Sequence, residues 1–363
     1  MSPPSTKQYG TDPDARTGTT LTEITRRLRG YHRIVRVFLT HDAEDLEAYY
    51  GRALPELEAI ADVVRNPVGR DLDTNELIEA AQGCQVVVAH RSTPGERAAF
   101  EQLPELAAFL RTAVDISTID VAAASEHGVL IARADKSFVP STAELALGLM
   151  IAVARNIGAS TSDYQAGREP PQRSGHQLAG RTVGIIGYGA IGSYLAPILA
   201  ALGMSVVVHD PYVATVDDPF ERVALAELLD RSDVVLPLAT ADDETANLID
   251  AEALAAMKPG AFVVNVSRGE LLDEAAVEEA LDSGRLGGLA MDVGRAPDQR
   301  PSPALAGRPG VVATPHLGGL TPENADAQAR SSVEQIRAIL DHTMPPRSVN
   351  PEYATRLRAL WTT

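Results

Sequence analysis

Six residues of this 363-residue chain combine the types and spacing that could do chemistry: Gly187, Gly189, Gly192, Asp210, Arg268 and His316. Val183-Gly184-Ile185-Ile186 reads as a strand that runs into Gly187-Tyr188-Gly189-Ala190-Ile191-Gly192 and then into a helix starting near Ser193. Gly187 permits a tight turn, Gly189 lets the main chain approach a pyrophosphate with no side chain in the way, and Gly192 lets the helix pack on the sheet. The helix N-terminus adds free N–H groups and the positive end of its dipole for the phosphates. Asp210 follows the next strand, residues 206–209. A carboxylate there accepts hydrogen bonds from the adenosine ribose and repels a 2′-phosphate, which selects NAD over NADP. An ordinary surface turn gives the same three glycines, and FAD uses the same run. Strand, turn, helix, strand and acid falling in that order point to NAD.

The bulk numbers agree with small-molecule chemistry. The length suffices for two domains, each burying its own core. A net charge of −17 argues against a nucleic-acid or membrane-surface binder, whose phosphate contacts need clustered Lys and Arg. Cys84 is the single cysteine, so there is no intramolecular disulfide, no CxxC pair and no thiolate zinc cluster, and a reducing cytoplasm fits. No metal site is expected. Residues 1–18 lack the apolar core of a signal peptide and read as a flexible tail; residues 21–29 read as a loosely attached helix. No apolar run reaches the ~18 to 20 residues that cross a bilayer.

Two series of α/β elements must position the six residues. The first has strands at residues 34–39, 63–64, 85–89, 110–113 and 129–132, with helices at 43–62, 73–81 and 119–127 between them, the pattern of a parallel sheet. A long helix over residues 141–157 follows, with Ser141 and Glu144 spaced as a capping box. Residues 160–180 read as a linker or surface loop. The second series has strands at 182–186, 206–209, 234–236, 261–266, 288–293 and 311–314, with Pro237 stopping the third. Six parallel strands make a complete dinucleotide fold.

Four segments in this order resemble the D-isomer-specific 2-hydroxyacid dehydrogenases: Gly187 to Gly192 with Asp210-Pro211-Tyr212; Asn265-Val266-Ser267-Arg268-Gly269-Glu270-Leu271-Leu272-Asp273; Gly288-Leu289-Ala290-Met291-Asp292-Val293; and Thr314-Pro315-His316-Leu317-Gly318-Gly319. Thr142-Ala143-Glu144 and Val349-Asn350-Pro351 extend the likeness to nearly all of the chain after residue 33. The resemblance implies two doubly wound, Rossmann-like parallel-sheet domains with the active site in the cleft between them. Residues 33–140 and 320–345 would bind substrate and residues 141–319 would bind NAD, with an N-terminal extension, 1–32, and a tail, 346–363. It implies an NAD-dependent enzyme that interconverts a 2-oxo acid and a D-2-hydroxy acid, and a homodimer formed through the nucleotide-binding domain. The implied cofactor contacts are Gly187, Tyr188, Gly189, Ala190, Ile191, Gly192, Asp210, Val266, Ser267, Arg268, Asp292, His316, Gly318 and Gly319; the substrate contacts are Ala113, Val114, Asp115 and Arg268.

Reduction of a 2-oxo acid needs a cation for the carboxylate and carbonyl, an acid for the developing alkoxide, and a hydride donor. Arg268 follows a buried strand, at the sheet end where ligands bind, and offers a planar fork of donors; on its own it would read as a surface arginine paired with Glu270. His316 follows the last strand and offers an imidazole, the side-chain type suited to giving and taking a proton. Two features depart from the family pattern. The Glu-Pro pair that follows Asp-Val, whose Glu orients the histidine, is replaced by Gly294-Arg295-Ala296-Pro297-Asp298; either alignment, Ala296 or Pro297, leaves no carboxylate there, and Asp298 is adjacent. Formate dehydrogenases of the family tolerate an amide at that place. The substrate loop reads Arg111-Thr112-Ala113-Val114-Asp115-Ile116-Ser117, with Asp115 on a glycine position and Phe138 where an Asn often stands, which predicts an atypical substrate. The missing Glu also keeps open a second reading, an NAD(H)-sensing scaffold resembling the C-terminal-binding corepressors.

Overall fold

The computed structural model describes residues 35–362; the expected tail over 1–18 and helix over 21–29 lie outside them. Contacts divide the chain into two units. Unit 1 comprises the described residues up to Glu44, Ala53–Arg133 and Ser332–Thr363; unit 2 comprises Asp45–Arg52 and Ala134–Ser331.

Unit 1 carries strands β1 (Arg36–Leu39), β2 (Asp62–Arg65), β3 (Val86–Ala89), β4 (Ala108–Arg111) and β5 (Leu130–Arg133) in the order β2-β1-β3-β4-β5. All neighbours are parallel, the doubly wound order of flavodoxin-like sheets. Val86-Val87-Val88-Ala89 is apolar throughout because a parallel strand is covered on both faces. Phe100 and Phe109 meet edge to face, ring centres 5.9 Å apart, within one of its cores. β4 lies two residues earlier than the pattern predicts. Ala108 and Phe109 ladder with Val86 and Val87, which frees Thr112 to Ser117 as a loop beyond the strand end. After Pro351–Tyr353, the helix Thr355–Thr362 closes the chain. Asn350, 3% exposed, ties this segment to β5: its Nδ2 donates to Val129 O (3.0 Å) and Ser125 Oγ (2.9 Å), and its Oδ1 accepts from Ile131 N (2.8 Å).

Unit 2 carries β6 (Thr182–Ile186), β7 (Ser205–His209), β8 (Glu221–Arg222), β9 (Val234–Pro237), β10 (Ala261–Asn265), β11 (Leu286–Met291) and β12 (Val311–Ala313). They form one parallel sheet, β12-β11-β10-β9-β6-β7-β8. The order reverses between β6 and β9, the switch point where such sheets bind ligands. Successive residues alternate between two cores: Val206 and Val208 enter one, Val207 the other; Val234 and Leu236 enter the first, Val235 the second.

Three expectations need correction here. The sheet has seven strands, not six, because the two-residue edge strand Glu221–Arg222 is polar and exposed and carries no apolar signal. The long helix runs Val139–Ala154 with Pro140 in its first turn, and there is no capping box: Ser141 Oγ donates back to Phe138 O (3.0 Å). Its end is set by Asn156, left-handed at φ 55°, and a second helix, Ile157–Gln165, occupies the start of the stretch read as a loop. No single helix among the described residues is long and apolar enough to span a bilayer.

Replacing Asn350 by Ala strands a buried N–H and a buried carbonyl at the edge of β5. We expect a loss of about 3 kcal/mol, measured as a lower midpoint in urea unfolding.

Candidate active site

The turn after β6 is built so that only glycine fits at its first position. Gly187 has φ +101°, and a Cβ there would lie 2.7 Å from Ala239 N and 2.8 Å from the Leu238 carbonyl. The segment is that close because Leu238 N donates to Ile186 O across the switch point (2.7 Å). A Cβ on Gly192 would collide with Gly187 O, whereas one on Gly189 would meet nothing within 4 Å. Gly189 therefore borders open space at the N-terminus of the helix Ala190–Ala201, whose first N–H groups have no partner within the helix. Asp210 closes the cradle: its Oδ2 accepts from Tyr188 N (2.7 Å) and its Oδ1 from Tyr212 N (2.8 Å). Oδ1 also accepts from Val213 N (3.3 Å), which uses both of its lone pairs, so Oδ2 is the oxygen that remains able to accept from a ribose hydroxyl. Open space at Gly189, unpaired helix N–H groups and an acceptor-only group beyond β7 fit a dinucleotide with a free 2′-hydroxyl.

Arg268 stands just beyond β10. Buried Asn265 fixes this turn, donating from Nδ2 to Arg268 O (2.8 Å) and accepting at Oδ1 from Ser267 N (3.0 Å). Ser267 Oγ donates to Ala239 O (3.0 Å), which joins the Arg268 turn to the loop under Gly187. Val266 is buried, while the Arg268 side chain is exposed, with Nη1 on Ser267 O (2.8 Å). Among the described residues it makes no ion pair with Glu270. Gly269 admits no Cβ because the Gly294 main chain passes against it.

Asp292, at 0% exposure, organises the histidine loop. Its Oδ1 accepts from Thr314 Oγ1 (2.6 Å) and Leu317 N (2.7 Å), and its Oδ2 from Gly318 N (2.8 Å). Its main-chain O accepts from His316 N (2.8 Å). His316 is thereby held at φ +62°, with its ring Nδ1 2.9 Å from the main-chain O of Asp298. The Asp298 carboxylate faces away, 3.7 Å from Arg300 Nη2. Gly319 O accepts from Asn324 Nδ2 (2.6 Å), and a Cβ on Gly318 would stand 3.2 Å from both Asp292 Oδ2 and Thr142 Oγ1. Within unit 2 the structure thus connects Gly187, Ser267, Arg268, Asp292, His316, Gly318 and Gly319 through the loops at the carboxyl ends of the strands. The sequence reading missed Asn265 and Thr314 as positioning groups; polar residues closing otherwise apolar strands were the available signal.

In unit 1, Ala113, Val114 and Asp115 form the loop after β4. Asp115 is exposed and turns back on its own loop, accepting from Ser117 N (2.9 Å) and Ser117 Oγ (3.1 Å). Arg111, 1% exposed, braces the strand ends by donating to Thr93 O (2.8 Å), Thr118 Oγ1 (2.9 Å) and His90 O. Burial pushes its guanidinium down to about 10, against a smaller opposing effect of Asp115. Burial, with the His90 and Arg111 charges, also holds His41 well below the ordinary imidazole range, so it stays neutral.

Residues 147–318 match the family model described as D-isomer specific 2-hydroxyacid dehydrogenase, NAD binding domain. The chain is similar to (S)-sulfolactate dehydrogenase of Chromohalobacter salexigens, 33% identical over 74% of this chain and 88% of the relative. It is 35% identical to D-3-phosphoglycerate dehydrogenase of Mycobacterium tuberculosis over 77% of this chain, and it spans about half of that relative, 53% of its length. D-lactate dehydrogenase of Escherichia coli superposes with TM-score 0.75, covering 87% of this chain and 100% of that one; at 24% identity this speaks to the fold. The cofactor is NAD. We propose that Asp210 accepts from the ribose and repels a 2′-phosphate; with Asp210→Ala the preference for NADH over NADPH in fluorescence titration should then fall at least about ten-fold, the equivalent of one charge-assisted hydrogen bond. Cradle, catalytic loops and relatives converge on one assignment: the chain belongs to the D-isomer specific 2-hydroxyacid dehydrogenase family.

Proposed function

We propose that the protein interconverts a 2-oxo acid and a D-2-hydroxy acid. The observation that carries this reading is that an exposed arginine and a histidine, Arg268 and His316, stand on loops fixed by two buried polar groups, Asn265 and Asp292, which are joined by Asp292 N on Asn265 O (2.9 Å), while Ser267 ties the Arg268 turn to the segment under Gly187. Bound NAD(H) supplies or accepts the hydride. The Arg268 guanidinium holds the substrate carboxylate and polarises the carbonyl oxygen, a cation placed where negative charge develops. His316 donates the proton from Nε2 to that oxygen during reduction and takes it back during oxidation. Asp292 acts through the loop it fixes, since its oxygens already serve Thr314, Leu317 and Gly318.

The unit 1 loop supports the substrate assignment of Ala113, Val114 and Asp115, considered by itself. Among the described residues no acceptor meets their main-chain N–H groups, which suits a carboxylate. The Asp115 side chain is engaged with Ser117, which reduces the repulsion that its position predicts. A cytoplasmic homodimer is part of the same proposal. The exposed Ile151, Ile157 and Tyr164 on the helix pair give a partner apolar surface to cover.

NADH oxidation should proceed with at least one member of a panel of short 2-oxo acids. Arg268→Ala should lower kcat/KM by about 10²–10³-fold, the loss of a charge-stabilising donor, and Arg268→Lys should recover only part because the planar fork is gone. Tight NADH binding with no turnover of any 2-oxo acid would overturn the enzyme reading and favour the cofactor-sensing scaffold.

A further inference from the structure

The partner of the histidine ring is a peptide group. His316 Nδ1 lies 2.9 Å from Asp298 O, within ordinary N–H···O range. A carbonyl only accepts, so Nδ1 must carry the proton and the neutral ring keeps its lone pair on Nε2. Among the described residues no carboxylate competes for the place: Ala296 and Pro297 have none, and that of Asp298 is 67% exposed beside Arg300.

The turn that presents this carbonyl is unusual. Asp298 (φ 58°, ψ 24°) and Gln299 (φ 56°) are both left-handed, and Arg300 N donates to Pro297 O (3.3 Å). Two central residues at positive φ make a primed hairpin turn, which normally takes Gly or Asn at its second place. Gln299 there holds a conformation that side chains disfavour. Gly294 N on Gln299 O (2.8 Å) and Ala296 N on Arg300 O (3.0 Å) zip the hairpin. The Arg295 guanidinium then fastens it to the Arg268 turn through Glu270 O (3.2 Å), Leu272 O (3.0 Å) and Asn247 Oδ1. His316 is itself left-handed. A hydrogen bond with strained backbone at both ends persists only where the surroundings fix both sides.

We propose that the main-chain carbonyl of Asp298, presented by this turn, is the positioning group for the His316 ring. The proposal rests on the catalytic reading of His316 given above. A carbonyl accepts from Nδ1 whether the ring is neutral or protonated, so the ring keeps one orientation while Nε2 gives up and regains its proton. It fixes the tautomer without placing a charge beside the ring, and because it is a peptide group any side chain that tolerates a left-handed backbone can supply it.

The test is the tautomer of neutral His316 in the full chain with NADH bound, read from long-range 1H–15N spectra. We expect the Nδ1–H form to dominate by at least ten-fold, and to persist in Asp298→Asn, which keeps both the carbonyl and the left-handed preference. Asp298→Val, whose branched Cβ resists φ near +58°, should reduce that dominance at least five-fold while the amide signals of β6 and β7 stay in place. A dominant Nε2–H form in the native protein would overturn the proposal. So would loss of the Nδ1–H form in Asp298→Asn, which would name the carboxylate as acceptor, or its full retention in Asp298→Val. The readout is a spectrum and not turnover, so a failed enzyme reading and a failed positioning group give different results.

Discussion

The Asp292 carboxylate has no access to solvent and faces three donors, Thr314 Oγ1, Leu317 N and Gly318 N. A buried ionised carboxylate is tolerated only when such donors replace its water. That requirement works in both directions. The donors satisfy the acid, and the acid dictates where residues 314–318 must lie. His316 is carried to a left-handed conformation between two groups tied to Asp292, and Gly318 is small because Asp292 Oδ2 and Thr142 Oγ1 leave little room for a side chain. Asp292 N in turn donates to Asn265 O, and Asn265 fixes the Arg268 turn, so one strand end reaches both catalytic candidates.

The cofactor cradle is made by the complementary device, the absence of side chains. Gly187 sits where any Cβ would strike the Leu238-Ala239 main chain, and Gly192 where it would strike Gly187 O. Gly189 borders only open space. Packing does not require its missing side chain. Asp210 lies just beyond β7 and holds the Tyr188 and Tyr212 amides. The sheet reverses order between β6 and β9, which brings Leu238 and Ala239 beside the glycine turn and leaves Ala239 O to receive Ser267. Topology, not local sequence, joins cofactor and catalytic loops.

Much of this was legible in the sequence because parallel strands covered on both faces are apolar throughout, as in Val234-Val235-Leu236 and Val86-Val87-Val88. The glycine run was legible because the packing at Gly187 and Gly192 admits no side chain. What escaped had no such signal. Glu221–Arg222 joins the sheet on an exposed edge, through main-chain bonds to β7 and polar side-chain contacts such as Arg222 Nε on Asp210 O (3.1 Å), none of which leaves an apolar pattern. Ser141 and Glu144 have capping-box spacing, but Pro140 starts the helix earlier and Ser141 bonds back to Phe138. β4 is displaced because its register with β3, not its own pattern, sets its ends. The partner of His316 was invisible for a deeper reason. Side chains are spelled out in the sequence, whereas a carbonyl is present in every residue, and only the turn through Asp298 and Gln299 aims this one.

If Asp292 is the constraint on which the site depends, its carboxylate must be what orders residues 314–318. Native-state hydrogen exchange of Asp292→Asn measures this most directly, because an amide turns a donor toward at least one N–H that the acid accepted. The Leu317 and Gly318 amides should then exchange at least about 100-fold faster than in the native protein, the equivalent of ~3 kcal/mol, while Ile185 in β6 keeps its protection. Unchanged protection at both Leu317 and Gly318 would contradict that role of Asp292.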